Sequence, residues 1–204
     1  AINYQNIGEC LEYKGELEEA LHYYRTSLDY NNEIDSDKGR VICKNSIAQI
    51  YIKQNKLTQA LEILEPNLLA AESLGDMSII AVININMGWA LMELKQYAES
   101  EKYLVTGLEM SKKHHLPSYI AHAYNYLSKL YTYKGDYKNA LEYYQMAEKF
   151  NEEINSEVNR RYINDLIHEP TASQENKHPD HWSPGDGPSN FYSLYTISPE
   201  RAKK

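Results

Sequence analysis

His178, Asp180 and His181 stand close enough together to suggest metal binding. A zinc ion needs three or four converging nitrogen, sulfur or oxygen ligands. These three lie in a Pro-rich stretch with no further ligand near in sequence. They read as ordinary polar loop residues, and no metal is expected. Cys10 and Cys43 are the only cysteines, and both fall in apolar helical patterns. Free cysteine is among the most buried residue types, so both are expected as buried, reduced thiols; a disulfide framework would need more. His114 and His115 end a helical pattern, where histidine suits the helix dipole. His22 and His122 read as surface or groove residues rather than catalytic bases. The sequence has no Gly-rich phosphate loop, nucleophile elbow or paired zinc-ligand spacing. The expectation is a protein without catalysis and without a cofactor, with a hydrolase or phosphatase as the competing class.

Bulk composition narrows the partners. Lys and Arg total 21 against 29 Asp and Glu in 204 residues, a net charge of −8. A nucleic-acid footprint is basic, so direct nucleic-acid binding is not expected. Hydrophobic residues make up 42% of the chain, as in ordinary globular proteins. No apolar run approaches the roughly 20 residues that a membrane-spanning helix needs. No signal peptide is visible and the sequence does not begin with Met. A cytoplasmic location is expected, or a periplasmic one if a targeting segment lies upstream.

What organises the chain is a period of 40 residues. Gly8, Ala48, Gly88 and Ser128 are small residues at that spacing. Ile7, Ile47, Met87 and Leu127 precede them, and Leu11, Tyr51, Leu91 and Tyr131 follow three positions later. The register continues through Leu17, Leu57, Tyr97 and Tyr137, then Ala20, Ala60, Ser100 and Ala140, then Tyr24, Leu64, Leu104 and Tyr144. Apolar residues within each copy recur at helical spacing, as in Leu17, Leu21, Tyr24 and Leu28. Each copy therefore reads as two helices. Breaks inside the copies are predicted at Gly15, Asn55, Lys95 and Gly135, with Lys95 the poorest helix terminator of the four. Breaks between copies are predicted at Asp35, Gly75, His115 and Asn155. Ser36, Asp76 and Ser156 follow as N-caps, and Pro117 as a first-turn proline. The small residues let two helix backbones approach. A single copy cannot bury its apolar face, so the copies must stack into an all-α solenoid.

Asn6-Ile7-Gly8, Leu11, Gly15, Leu17, Ala20 and Tyr24 resemble the tetratricopeptide repeat pattern. The 40-residue period resembles the longer-helix form of that repeat. Asp37-Lys38-Gly39-Arg40 and the run from Gly135 to Tyr144 look most like repeat regions of bacterial sensor kinases and transcription regulators, especially of the Bacteroidetes type. The resemblance covers residues 1–168, divided near 1–35, 36–75, 76–115 and 116–155, with a capping helix over 157–168. That helix carries Val158, Tyr162, Ile163, Leu166 and Ile167, and Glu169-Pro170 should end it. Pro66 is expected to kink the second helix of the second repeat.

The resemblance implies that the first helix of each repeat lines a concave groove. In this register the lining candidates are Gln5, Asn45 and Asn125, with Asn6, Asn86 and Tyr126 beside them. Glu9, Gln49 and Trp89 come one turn later, and Tyr13, Lys53, Glu93 and Tyr133 further along. An amide donates and accepts at once, so a ladder of amides can satisfy the backbone of an extended peptide whatever its side chains. Trp89, Tyr126 and Tyr133 could supply apolar anchors. Repeats that clamp a C-terminal carboxylate use Lys and Arg, whereas the corresponding positions here hold Ile2, Ile42, Val82 and His122. Clamping of a chaperone tail is therefore not expected. The reading is a non-catalytic peptide- or protein-binding scaffold, the sensory or interaction module of a bacterial regulator. The alternative is a general adaptor or assembly scaffold.

Residues 169–204 differ in kind. Pro170, Pro179, Pro184, Pro188 and Pro199, with Gly185 and Gly187, mark a linker-like tail. Acidic and basic residues balance across 170–204, which leaves the negative charge on the repeats. Residues 189–197 hold the tail's apolar cluster, Phe191, Tyr192, Leu194, Tyr195 and Ile197. They are expected to dock on a repeat surface, in the same chain or in a second copy.

Overall fold

The computed structural model describes residues 1–168, with side chains as far as Arg161. The tail from 169 onward lies outside the described residues, with the His178, Asp180 and His181 grouping and the 189–197 cluster. The remainder is an all-α solenoid of eight helices among the described residues. They are α1 (Ile2–Lys14), α2 (Leu17–Glu33), α3 (Asp37–Lys53), α4 (Leu57–Leu74), α5 (Met77–Glu93), α6 (Tyr97–Lys113), α7 (Pro117–Tyr133) and α8 (Tyr137–His168).

The turns explain why the helices stop where they do. Gly15, Asp35, Asn55, Gly75, Lys95, His115 and Gly135 all have positive φ, between 52° and 83°. One residue in this left-handed conformation reverses the chain and lets the next N–H reach back to close the helix end. Gln96 N–H bonds Leu91 C=O at 2.9 Å, and Lys56, Glu16, Asp136, Ser36 and Leu116 make the same closure in their own turns. Ser36 accepts from Gly39 N–H at 3.2 Å, and Asp76 from Ser78 and Ile79 N–H at 3.2 Å, as N-caps should. Pro117 occupies the first turn of α7.

Asn155 departs from that series. The break expected there does not form, Ser156 caps nothing, and no separate helix spans 157–168. Instead α8 runs through both residues for 32 residues. An Asn-Ser pair ends a helix only when something holds the chain in the turn. Here the helix continues, with the Arg161 guanidinium reaching Glu157 one turn back, a pairing that favours helix. Pro66 lies inside α4, which is continuous from Leu57 to Leu74. Its neighbour Asn67 is buried and donates to Val41 C=O on α3 at 2.9 Å.

Packing follows the register. Gly8 lies so close to Tyr24 that an added Cβ would sit 2.6 Å from its ring, and Gly88 is as close to Leu104. Ala48, Ala20, Ala60 and Ser100 are fully buried at equivalent crossings. Each second helix packs against the first helix of the next repeat. Tyr24 and Leu21 meet Ile47 and Ile50, Leu64 meets Ile80 and Ile83, and Leu104 meets Ile120 and Leu127 in three successive core clusters.

One expectation about the core fails. Cys43 is buried, but Cys10 is exposed. Cys10 shares its register with Ile50, Ala90 and Leu130, each with no exposed surface. Those three are covered by the second helix of the preceding repeat, and nothing among the described residues stands in that place beside α1.

Candidate peptide-binding groove

The first helices stand side by side as well as against their own partners: α3 touches α5, and α5 touches α7. Side-chain rungs join them. Gln5 Nε2 on α1 donates to Ser46 Oγ on α3 at 2.9 Å, and Asn86 Nδ2 on α5 donates to Asn45 Oδ1 on α3 at 2.9 Å. Further along, Lys53 pairs with Glu12 at 2.7 Å and Lys129 with Glu93 at 2.6 Å. Trp89 on α5 stacks on Tyr126 on α7, with ring centroids 5.0 Å apart and planes 20° off parallel.

The amides predicted to form a ladder are thus partly engaged with one another. Asn86 is buried and serves as a donor to Asn45. Gln5 also bonds Glu9 at 3.3 Å. Asn6, Asn45, Gln49, Trp89 and Tyr126 are half-buried, whereas Glu9, Asn125 and Tyr133 are exposed. Lys129 Nζ lies 5.5 Å from the Tyr133 ring centroid. The structure places these residues on the first helices of the repeats, where it joins several of the amides as struts between helices.

Electrostatics relate the first repeat to the fourth. The Tyr119 hydroxyl on α7 is held above its ordinary range by burial and then by the charges of Glu9 and Glu12 on α1. Tyr126 is raised likewise, by burial first and then by Glu12 and Glu93. The charges of the first repeat are therefore felt at the aromatic rings of the fourth. Glu9 keeps exposed surface but has much protein around it, and this desolvation raises it against the lowering effect of its bond from Gln5. His122 keeps some exposed surface but is crowded by protein, and burial followed by the Lys53 charge pushes it down to about 4. Its ring meets Tyr119 edge-on at 6.1 Å. Glu9 and Glu12 on α1 are thus coupled electrostatically to Tyr119 and Tyr126 on α7, with Trp89 stacked on Tyr126 and His122 against Tyr119.

Glu12 and Tyr119 escaped sequence analysis. Glu12 shares its register with Ile52, Met92 and Thr132, and Tyr119 with Gly39 and Ile79. A period compares equivalent positions; it carries no signal for pairs that meet across a groove. Among the described residues no group of three His, Cys, Asp or Glu could hold a metal ion. No helix among them is long and apolar enough to cross a membrane.

Tetratricopeptide repeat family models match residues 79–153 and residues 1–34. The chain belongs to the tetratricopeptide repeat family. No curated protein matches its sequence. Solved structures share the fold of this repeat protein. A Rap protein complexed with Competence and Sporulation Factor is similar at 24% identity and a TM-score of 0.67, over 74% of this chain and 42% of that one. The apo form of RapI is similar at 18% identity and a TM-score of 0.63, over 82% and 62%. The tetratricopeptide domain of Arabidopsis FLU is similar at 24% identity and a TM-score of 0.51, over 55% and 95%. The repeat protein thus spans less than two thirds of the length of either Rap structure.

Proposed function

We propose that this repeat protein binds a peptide, extended or helical, in the groove between α1 and α7, as the interaction module of a bacterial signalling or regulatory protein. The observation that carries the reading is the Trp89–Tyr126 stack between α5 and α7, with ring centroids 5.0 Å apart and Asn125 exposed beside it. The charges of Glu9 and Glu12 on α1 act on Tyr119 and Tyr126 across the array, which adds an acidic side to this aromatic surface. Aromatic residues on such surfaces are the usual anchors of peptide binding. Asn125, exposed beside Tyr126, offers both donor and acceptor to a peptide backbone. The similar Rap structure lends support, as a protein of this fold solved in complex with Competence and Sporulation Factor.

The test is selection of ligands from a random peptide library on the full chain, followed by calorimetric titration. Trp89→Ala, Asn125→Ala and Tyr133→Ala, made singly, are expected to weaken a selected peptide several-fold with helicity by circular dichroism unchanged. Asn86 is unsuited as a probe, because it is buried between helices and its loss would loosen the array. A selected peptide whose affinity none of the three changes moves would place binding elsewhere and refute the groove.

A further inference from the structure

The second helices of the first three repeats share a face that the next repeat covers. Leu21 and Tyr24 on α2, Leu57 and Leu64 on α4, and Leu104 on α6 are buried there. On α8 the equivalent residues are Tyr137, Leu141 and Tyr144. They are 71%, 57% and 49% exposed. The three lie one and two turns apart, on one side of the helix. The adjoining side, with Ala147, Tyr143 and Phe150, packs against α7. Because α8 does not turn at Asn155, no ninth helix is folded back onto this face among the described residues.

We propose that residues 189–197 of the same chain cover the face formed by Tyr137, Leu141 and Tyr144. The segment Ser-Asn-Phe-Tyr-Ser-Leu-Tyr-Thr-Ile is uncharged and has Phe191, Tyr192, Leu194, Tyr195 and Ile197 among its nine residues. Pro188 and Pro199 bracket it. Its neutrality lets it approach a body that carries the chain's net negative charge. The reach is sufficient. From His168 back to Tyr144 is about 36 Å along the helix, and back to Tyr137 about 46 Å, at 1.5 Å per residue. The intervening residues 169–188 can extend to roughly 70 Å. Being tethered, the segment meets the face at a high effective concentration.

A second copy is the rival occupant, since stacking its α1 on this α8 would extend the solenoid end to end. That face of α1 is a poor mate. Where α3 presents Cys43, Ile47 and Ile50, it presents Asn3, Ile7 and Cys10, and stacking would bring two acidic bodies together. The tail segment supplies more apolar side chains and no charge.

Photo-cross-linking of the full chain tests the proposal. A benzophenone side chain is placed at position 141, and separately at position 144, in an equal mixture of isotopically heavy and light chains. Irradiation should join the probe to residues 189–197 within one chain. Leu194→Asp with Tyr195→Asp should abolish that product. Hydrogen exchange of 189–197 should be slowed several-fold relative to residues 171–180, and Leu141→Asp should remove the difference. Products that join heavy to light chains would identify a second copy as the occupant and overturn the proposal. Cross-links only to other parts of the same chain, or none to protein together with unslowed exchange, would overturn it equally.

Discussion

Ser100 Oγ on α6 donates a 2.7 Å hydrogen bond to the carbonyl of Gly88 on α5. In the next repeat the same crossing is bonded in reverse, with Ser128 Oγ on α7 donating to Ala140 C=O on α8 at 2.8 Å. In these two repeats the crossing thus carries a hydroxyl on one helix or the other, facing a small residue with a reachable carbonyl. The closeness at Gly88 is steric: an added Cβ would lie 2.6 Å from Leu104 Cγ and 3.0 Å from its backbone nitrogen. Gly88→Ala should therefore destabilise the chain by about 1–3 kcal/mol through overpacking. Ser100→Ala should lose only about 0.5–1.5 kcal/mol, the worth of one hydrogen bond, because Ala already fills this position in the other repeats. Urea melts of the two variants check the order; a Gly88→Ala protein as stable as the parent would show that α5 and α6 separate freely.

Lys95 adopts φ 63° at a turn where Gly15 and Gly135 stand in the same register. A side chain in the left-handed region costs about 1–2 kcal/mol, and glycine's extra unfolded-state entropy returns about 0.5–1 kcal/mol of that. Lys95→Gly is expected to stabilise the chain by about 0.5–1 kcal/mol, and Gly135→Lys to destabilise it by a similar amount. Thermal melts that move both variants in the same direction would contradict the argument.

The two cysteines should react very differently. Cys10 is exposed on the open side of α1, whereas Cys43 is 1% exposed and enclosed by Ser27 Oγ at 3.3 Å and Asn31 Nδ2 at 3.4 Å. Burial raises the Cys43 thiol, against the opposing effect of its hydrogen bonds with Ser27 and Asn31, so little thiolate is available there. Titration of the native chain with an aromatic disulfide reagent should show one rapid thiol, with the second appearing only in denaturant. Two rapid thiols would mean that α2 and α3 part easily.

Most of the fold was legible because a period repeats its own evidence. Gly15, Asn55, Lys95 and Gly135 mark one turn four times, so even Lys95 could be placed by its neighbours in register. Asn155 misled for the same reason: the register demanded a turn, but a turn between repeats is held by the packing of the helix that follows it. Cys10 misled because its pattern is apolar like that of Ile50, Ala90 and Leu130, while burial depends on a neighbour that the pattern does not contain. The placement of the candidate residues was readable as well. Gln5, Asn45, Asn86, Trp89 and Tyr126 could be assigned to the first helices because their positions recur in register. Glu12, Tyr119 and the role of His122 depend on charges acting between the first or second repeat and the fourth, which no local spacing encodes.

His122 makes those contacts measurable through pH. In the unfolded chain its imidazole should titrate near the ordinary value of about 6.5, whereas in the fold burial, then the nearby Lys53 charge, bring it to about 4. Between these values the unfolded chain binds a proton that the folded chain refuses. The neutral imidazole thus favours the fold fully above about pH 6.5, and that advantage is lost as the pH falls toward 4. Because the side chain keeps some contact with solvent, the loss is expected to be about 1–2 kcal/mol rather than the full value of the shift. His122→Gln should flatten this part of the stability profile. Lys53→Met should raise the His122 pKa, but only part of the way to 6.5, since burial is the larger cause. Proton-detected titration of the imidazole in the native chain decides the matter. A His122 resonance that titrates near 6.5 would mean that the rings of α7 are open to water and that the first and fourth repeats do not enclose a groove.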